Sequence, residues 1–163
     1  MQILGIDPGS RKTGWAVIEA EGSRIRCLDA GIWQLGTADM PQRLLRLSTF
    51  LADLLQHWQP AVASVETVFV RDNPNSALKL GQARGVLLCE LARGAVPVVE
   101  YPPATIKQTL LGSGRAEKAQ VIWMTQRLLG LKSPLSEDAA DAAAAAICHH
   151  HHIPTLRIRA TSA

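Results

Sequence analysis

Short apolar runs near the N-terminus predict a set of β-strands. Residues 2–8, 12–20 and 24–35 each carry closely spaced apolar side chains and are bounded by turn-forming residues. Residues 21–23, with the sequence Glu-Gly-Ser, have the composition of a hairpin turn between the second and third runs. The sheet is therefore expected to begin with antiparallel strands.

Further along the chain, the apolar spacing changes to that of helices. Leu44, Leu47, Leu51 and Leu54 recur at three- and four-residue steps, which predicts an amphipathic helix over 41–58. The elements predicted after it are a strand at 61–66, a helix over 76–93, a strand at 96–101, a short helix ending at 111, a helix over 116–129, and a last helix from Ser136 through the histidines. Strands that alternate with helices after an antiparallel start predict an α/β fold, with a mixed sheet and helices on both faces.

The 163 residues, 47% of them hydrophobic, suffice for one domain with its own core. We expect this domain to span 1–152 and the residues 153–163 to form a flexible tail. No apolar run approaches the roughly 20 residues that a membrane helix needs, and the N-terminus lacks the pattern of a secretory leader. Three cysteines without metal-type spacing suit free thiols, so the cytoplasm is the expected location.

Four acidic residues stand at the ends of apolar elements. Asp7 ends the first strand, Glu66 ends the fourth, and Asp138 and Asp141 share a face at the start of the last helix. Each has an ordinary explanation as well, because Asp-Pro-Gly suits a tight turn, a strand end can reach solvent, and acids in a first turn complement the helix dipole. The run of alanines over 139–146 would let the last helix press against the sheet.

Taken together, the four carboxylates predict a metal site. Carboxylates at the edge of an apolar core are costly unless positive charge neutralises them. Mg²⁺ prefers oxygen ligands, and two ions held about 3.5–4 Å apart can stabilise the attacking and leaving oxygens of a phosphoryl transfer. The pattern therefore indicates a metal-dependent phosphoryl-transfer enzyme.

The distribution of basic residues favours nucleic acid as the substrate. The formal net charge is only +3, but the stretch from residue 71 to residue 118 holds seven basic and four acidic residues. Lys107 and Lys118 are by default solvated helix residues, and near a scissile phosphate they would stabilise charge. Phe69 fits either the core or a stack on an unpaired base.

Two further features carry weaker predictions. The glycines Gly81 and Gly85 form a stripe of small residues on one helix, which predicts the close approach of either the sheet or a second subunit. The run Cys148 to His152 has the composition of a metal tract, but adjacent residues of a helix point in different directions. We expect these imidazoles to complement the dipole at a helix end.

These residues resemble a known family. The segments LGIDPGSRKTGWAVI, VETVFVRDNPNSALKLGQARGV, IKQTLLGSGRAEKAQV and EDAADAAAAAICHHHH are similar to those of the RuvC-type Holliday junction resolvases of bacteria. The likeness runs from about Gln2 to His152, and the stretch NSALKLGQARG is the most specific to this family.

The resemblance implies an RNase H-like fold, with a five-stranded mixed sheet flanked by helices. It implies a homodimer that makes symmetric paired nicks in four-way DNA junctions during homologous recombination and repair, together with the RuvA and RuvB branch-migration proteins. It further implies a weak preference for cutting at particular short sequences. A homodimer suits a junction because both have approximate two-fold symmetry.

The resemblance also implies roles for individual residues. Asp7, Glu66, Asp138 and Asp141 match ligands of two Mg²⁺ ions, for which Mn²⁺ is an expected substitute. Phe69 matches a residue that stacks on a base, and Lys107 and Lys118 match basic residues of the cleavage site. The residues predicted to contact DNA are Phe69, Arg71, Lys79, Arg84, Lys107, Arg115 and Lys118.

Three alternatives remain open at this point. An RNase H-like nuclease for ribosomal RNA precursors would share the Asp-Pro-Gly block but not the NSALKLGQARG stretch. A kinase of the actin and sugar-kinase type would need a longer, two-lobed chain. A purely architectural junction binder would have no need of four convergent acids.

Overall fold

The computed structural model describes residues 1–67 and 73–161, with residues 154–161 described by their backbone. The elements are β1 (Gln2–Asp7), β2 (Lys12–Glu21), β3 (Arg24–Gln34), α1 (Met40–Trp58), β4 (Val62–Glu66), α2 (Pro74–Arg93), β5 (Val98–Tyr101), α3 (Pro103–Leu111), α4 (Lys118–Leu128) and α5 (Glu137–Thr161). The predicted order of strands and helices is confirmed.

The strands form one sheet in the order β3-β2-β1-β4-β5. β2 pairs antiparallel with β1, to which it is joined by residues 8–11, and with β3, to which it is joined by the hairpin at 21–23. β4 runs parallel to both β1 and β5. The sheet is thus mixed, with two antiparallel and two parallel pairings. The parallel strands are joined by helical crossovers, whereas the opening meander needs only short turns. The predicted five-stranded mixed sheet is confirmed.

Helices cover both faces of this sheet. Leu4 and Ile6 of β1 pack with the buried leucines of α1 and α2 in one core cluster. Ile3 lies on the opposite face, where it packs with the alanines of α5 and with residues of α3 and α4. Successive residues of a strand point to opposite faces, so the alternation in β1 divides the apolar residues between two cores. No helix among the described residues is long and apolar enough to cross a membrane.

The backbone of α5 lies unusually close to the centre of the sheet. A Cβ atom added to Gly5 would stand 1.9 Å from the carbonyl oxygen of Ala142, and one added to Gly14 would stand 2.0 Å from that of Asp138. The hydroxyl of Ser64 donates a 2.7 Å hydrogen bond to the carbonyl oxygen of Ala145. Two strand glycines and a run of helix alanines therefore make this contact possible.

The C-terminal end of α5 differs from the prediction. The helix was expected to end at the histidines, but its backbone continues past Pro154 to Thr161. A proline removes one helical hydrogen bond and does not by itself forbid a continued helix. The division of the chain into a domain over 1–152 and a flexible tail over 153–163 stays a prediction.

The histidines do not complement a helix end, so that prediction was wrong. His149 is buried, and its Nδ1 lies 3.0 Å from the hydroxyl of Tyr101 on β5. His152 Nδ1 lies 2.8 Å from the carbonyl oxygen of Cys148. These imidazoles instead take part in the packing and hydrogen bonding of α5 beside the edge strand.

We expect Gly5→Ala to destabilise the protein by at least about 3 kcal/mol, because its methyl group must displace the backbone of α5. Gly85→Ala is the control, since a Cβ at Gly85 meets no atom of the described chain within 4 Å, and its effect should stay within about 1 kcal/mol. Urea unfolding at low protein concentration measures both. Equal stability of the two variants would contradict the close contact.

Candidate active site at the carboxyl edge of the sheet

The parallel pairing of β1 and β4 brings two predicted acids together. The register pairs Gly5 with Ser64 and Ile6 with Val65, so that Asp7 and Glu66 follow as the next residues of the two strands. Gly5 and Ser64 both contact α5. Asp7 lies two residues after Gly5, and Glu66 lies two residues after Ser64. Their side chains therefore point to the face of the sheet that α5 covers.

The two helical acids come to this edge because α5 begins there. The backbone of Asp138 rests on Gly14, and Gly14 is the partner of Asp7 in the antiparallel pairing of β1 with β2. Asp141 lies one turn further along α5 and lines the same small pocket as Glu66. All four predicted carboxylates thus lie at one edge of the sheet, beneath the first turns of α5.

The electrostatics of this edge are dominated by excess negative charge. Burial, together with the nearby carboxylates of Glu66, Asp141 and Asp138, raises the pKa of Asp7 to about 8. Burial and the charge of Asp141 raise the pKa of Glu66 to about 7. Burial also raises the pKa of Asp141, although Lys118 opposes the change. The site therefore disfavours full ionisation unless positive charge is added.

Lysines supply part of that positive charge, and two of them form direct ion pairs with the helical acids. The charge of Lys118 also acts on Asp7 and Glu66, but it only partly offsets the rise of their pKa values. Lys12 Nζ lies 2.5 Å from Asp138 Oδ2. Lys118 Nζ lies 3.0 Å from Asp141 Oδ2 and also pairs with Glu137. Among the described residues, Asp7 and Glu66 make no ion pair. No group of three or more His, Cys, Asp or Glu side chains in this part of the chain is drawn together tightly enough to hold a metal ion as it stands.

The pocket beside the acids has a volume of about 220 Å³. Glu66 and Asp141 line it together with Lys107 and Lys118, and apolar residues of α3, α4 and α5 complete its wall. Both predicted active-site lysines thus lie next to the predicted carboxylates. Two larger surface cavities, of about 570 and 690 Å³, lie elsewhere on the protein, and none of the four acids lines either of them.

The remaining predicted DNA contacts are more scattered. Phe69 and Arg71 lie outside the described residues. Lys79 is exposed on α2, and Arg115 is exposed in the connection between α3 and α4. Arg84 forms an ion pair with Glu100 of β5, which gives its guanidinium a structural partner.

Three residues of the site were not predicted from the sequence. Lys12 was counted as an ordinary strand residue, although it holds Asp138. Gly5 and Gly14 were not recognised as the positions that admit α5. The available signal was a glycine inside each of two apolar strands, because such a glycine often marks a close backbone approach.

Comparison with known proteins agrees with this geometry. The sequence pattern of the family described as crossover junction endodeoxyribonuclease RuvC matches residues 3–149. The crossover junction endodeoxyribonuclease RuvC of Alkalilimnicola ehrlichii is 52% identical over 141 residues, which cover 86% of each chain. That of Dichelobacter nodosus is 46% identical over 155 residues, which cover 95% of this chain and 88% of the relative.

A solved structure shares the fold. It is that of Thermus thermophilus RuvC in complex with a Holliday junction substrate, with a TM-score of 0.86 and 29% sequence identity. The alignment covers 95% of this chain and 96% of the other. The RNase H-like architecture expected from the sequence is therefore confirmed, and the chain belongs to the RuvC family of crossover junction endodeoxyribonucleases.

Proposed function

We propose that the protein resolves four-way DNA junctions by Mg²⁺-dependent hydrolysis at the edge formed by Asp7, Glu66, Asp138 and Asp141. Family membership supports the endonuclease activity and the junction substrate. The convergence of four carboxylates on one face of the sheet supports the mechanism, and it is the single observation on which the mechanism rests.

The side chains at this edge suit divalent cations. Burial and mutual repulsion raise the pKa values of Asp7 and Glu66, which means that each ionised carboxylate lacks sufficient positive charge nearby. Carboxylate oxygens are the ligands that Mg²⁺ prefers. When bound, a pair of such ions would supply electrostatic stabilisation to the attacking and leaving oxygens of the displacement. Mn²⁺ is expected to replace Mg²⁺ with the same ligands.

The other residues of the site act on the substrate by position and charge. Lys107 and Lys118 line the pocket beside Glu66 and Asp141, where a scissile phosphate group would meet both ammonium groups. The apolar wall of the pocket lowers the local dielectric and strengthens these interactions. Arg115 and Lys79 are exposed and would contact more distant phosphates.

We further propose that the protein acts as a homodimer that contacts its partner through α2. A Cβ added to Gly81 or Gly85 of this helix would meet no atom of the described chain within 4 Å, so the sheet does not occupy the stripe of small residues. Leu78 lies one turn before Gly81 and is 64% exposed. Two copies related by a two-fold axis would present two equivalent sites to the two equivalent strands of a junction.

The biological setting follows from this activity. Symmetric paired nicks in a four-way junction would complete homologous recombination and DNA repair in the cytoplasm. RuvA and RuvB, which move the branch point, are the proposed protein partners. Phe69 and Arg71 would contact the DNA near the cleavage point, by stacking and by charge respectively.

Asp7→Asn should lower the rate of junction cleavage at least about 100-fold while junction binding persists, because the side chain loses its charge at the reaction centre but keeps its shape. Asp53→Asn, an exposed acid of α1, is the matched control and should cleave normally. The assay uses a synthetic four-way junction, a linear duplex and a structured RNA, each with and without Mg²⁺. Cutting of RNA but not of the junction would refute the proposal, and binding without any cutting by the wild type would favour an architectural role.

The acidic edge also predicts how stability depends on pH. The pKa of Asp7 is about 8 in the folded protein and 3.8 in the unfolded chain. The folded state therefore binds more protons between these values, and in EDTA its stability should fall as pH rises through this window. At pH 8 in EDTA, Asp7→Asn should be more stable than the wild type by roughly 1–3 kcal/mol.

Thermal unfolding at pH 5 and pH 8, with EDTA or Mg²⁺, measures this effect. Mg²⁺ should raise the Tm of the wild type at pH 8 and have little effect on Asp7→Asn. If the wild type is more stable than Asp7→Asn in EDTA at pH 8, folding does not disfavour the ionised carboxylate of Asp7, and the prediction is wrong.

The dimer can be tested with two exposed leucines. Leu78→Glu on α2 should weaken dimerisation at least about tenfold, because it places a charge in an interface core. Leu45 on α1 is 62% exposed, close to the 64% of Leu78, and Leu45→Glu should leave the dimer intact. Sedimentation equilibrium measures both variants. Dissociation caused equally by both changes, or by neither, would contradict the assignment of α2.

A further inference from the structure

We infer that Lys12 belongs to the reaction centre and exchanges between two partners. In the absence of a divalent cation its ammonium pairs with Asp138, and once a cation engages Asp138 the ammonium moves to a DNA phosphate. The inference rests on the proposed function, because it requires that the carboxylates hold a cation. It would make Lys12 a residue that couples cation binding to the substrate.

The position of Lys12 follows from the strand alternation. Lys12 is the first residue of β2 and lies two residues before Gly14, so its side chain points to the α5 face at the outer end of the strand. Its Nζ reaches Asp138 Oδ2 at 2.5 Å. The side chain of Lys12 is 53% exposed, whereas that of Asp138 is 18% exposed. The ammonium thus lies between a largely buried carboxylate and the solvent. A DNA strand would reach the site from the solvent and would meet the ammonium first.

The backbone that carries Lys12 is held in place. Thr13 Oγ1 donates to the carbonyl oxygen of Gly9 at 3.0 Å, and the carbonyl oxygen of Arg11 accepts hydrogen bonds from the amides of Leu35 and Gly36. The buried Arg43 of α1 donates to the carbonyl oxygen of Ser10 at 2.8 Å. An exchange of partners therefore needs only rotations within the Lys12 side chain.

The two lysines that pair with acids of the site, Lys12 and Lys118, differ in what a cation would do to them. Lys118 bridges Asp141 and Glu137, so it keeps one carboxylate partner if a cation takes the other. Lys12 pairs with Asp138 alone among the described residues. A cation on Asp138 would therefore leave the Lys12 ammonium without a carboxylate and repel it. The exposed ammonium would then pair with a DNA phosphate. The contribution of Lys12 to DNA binding therefore depends on whether the cation is bound.

Lys12→Gln tests the competition directly, with Mn²⁺ alone as the probe and electron paramagnetic resonance of free Mn²⁺ as the readout. Removing the competing ammonium should tighten Mn²⁺ binding about 3- to 10-fold. Lys132→Gln, which removes the same charge from an exposed position between α4 and α5, should leave the affinity unchanged. Lys12→Arg keeps the charge and should stay close to the wild type.

Junction binding provides the second readout. With Ca²⁺ in place of Mg²⁺, Lys12→Gln should weaken binding to a four-way junction and lower the slope of log K against log salt concentration by about one. In EDTA, where Lys12 is engaged by Asp138, the same variant should lose clearly less affinity than it does in Ca²⁺. Circular dichroism and Tm confirm that each variant is folded.

Two results would overturn the inference. One is unchanged or weaker Mn²⁺ binding by folded Lys12→Gln, and the other is an equal loss of junction binding in EDTA and in Ca²⁺, which is the behaviour of an ordinary phosphate contact. Failure of the proposed function gives a different result. In that case the wild type would bind no Mn²⁺ at this edge, and Asp7→Asn would have the same Mn²⁺ affinity as the wild type.

Discussion

The contact between the backbone of α5 and the centre of the sheet is the constraint on which the site depends. It exists because two strand positions carry no side chain and because the facing helix residues are alanines. A larger residue at Gly5 or Gly14 would lift the first turn of α5, and with it Asp138 and Asp141, away from the strand ends. The packing of the core and the assembly of the carboxylates are thus one geometric requirement, and the hydroxyl of Ser64 anchors it from a neighbouring strand.

This contact has an electrostatic cost that the protein offsets only in part. Four acids share one edge, and the burial that positions Asp7 and Glu66 also disfavours their charge. Lys12 and Lys118 balance the two helical acids from opposite flanks. The strand acids make no ion pair among the described residues. The edge therefore keeps an uncompensated negative charge, which added positive charge would relieve.

The sequence predicted the architecture well because the patterns that encode it are local. The spacing of Leu44, Leu47, Leu51 and Leu54 identified α1, and the apolar runs identified all five strands within a few residues. The convergence of the acids could be inferred because carboxyl ends of parallel strands share an edge. The partners of those acids could not be inferred, since Lys12 and Asp138 are brought together only by the tertiary packing of α5 on β2. The end of α5 was misplaced because a proline and polar residues suggest a stop, whereas the helical backbone continues past Pro154. The packing of His149 against Tyr101 was missed because it is not visible in a pattern.

The parallel register of β1 and β4 also limits how this chain can change over evolutionary time. Side chains alternate between the two faces of a strand, so a single inserted or deleted residue within Val62–Glu66 would turn Glu66 toward the α1 and α2 side, or leave Ser64 without Ala145. Length variation among descendants of this sequence should therefore collect in surface connections such as the hairpin at 21–23. The inner strands should tolerate exchanges of residue type at constant length.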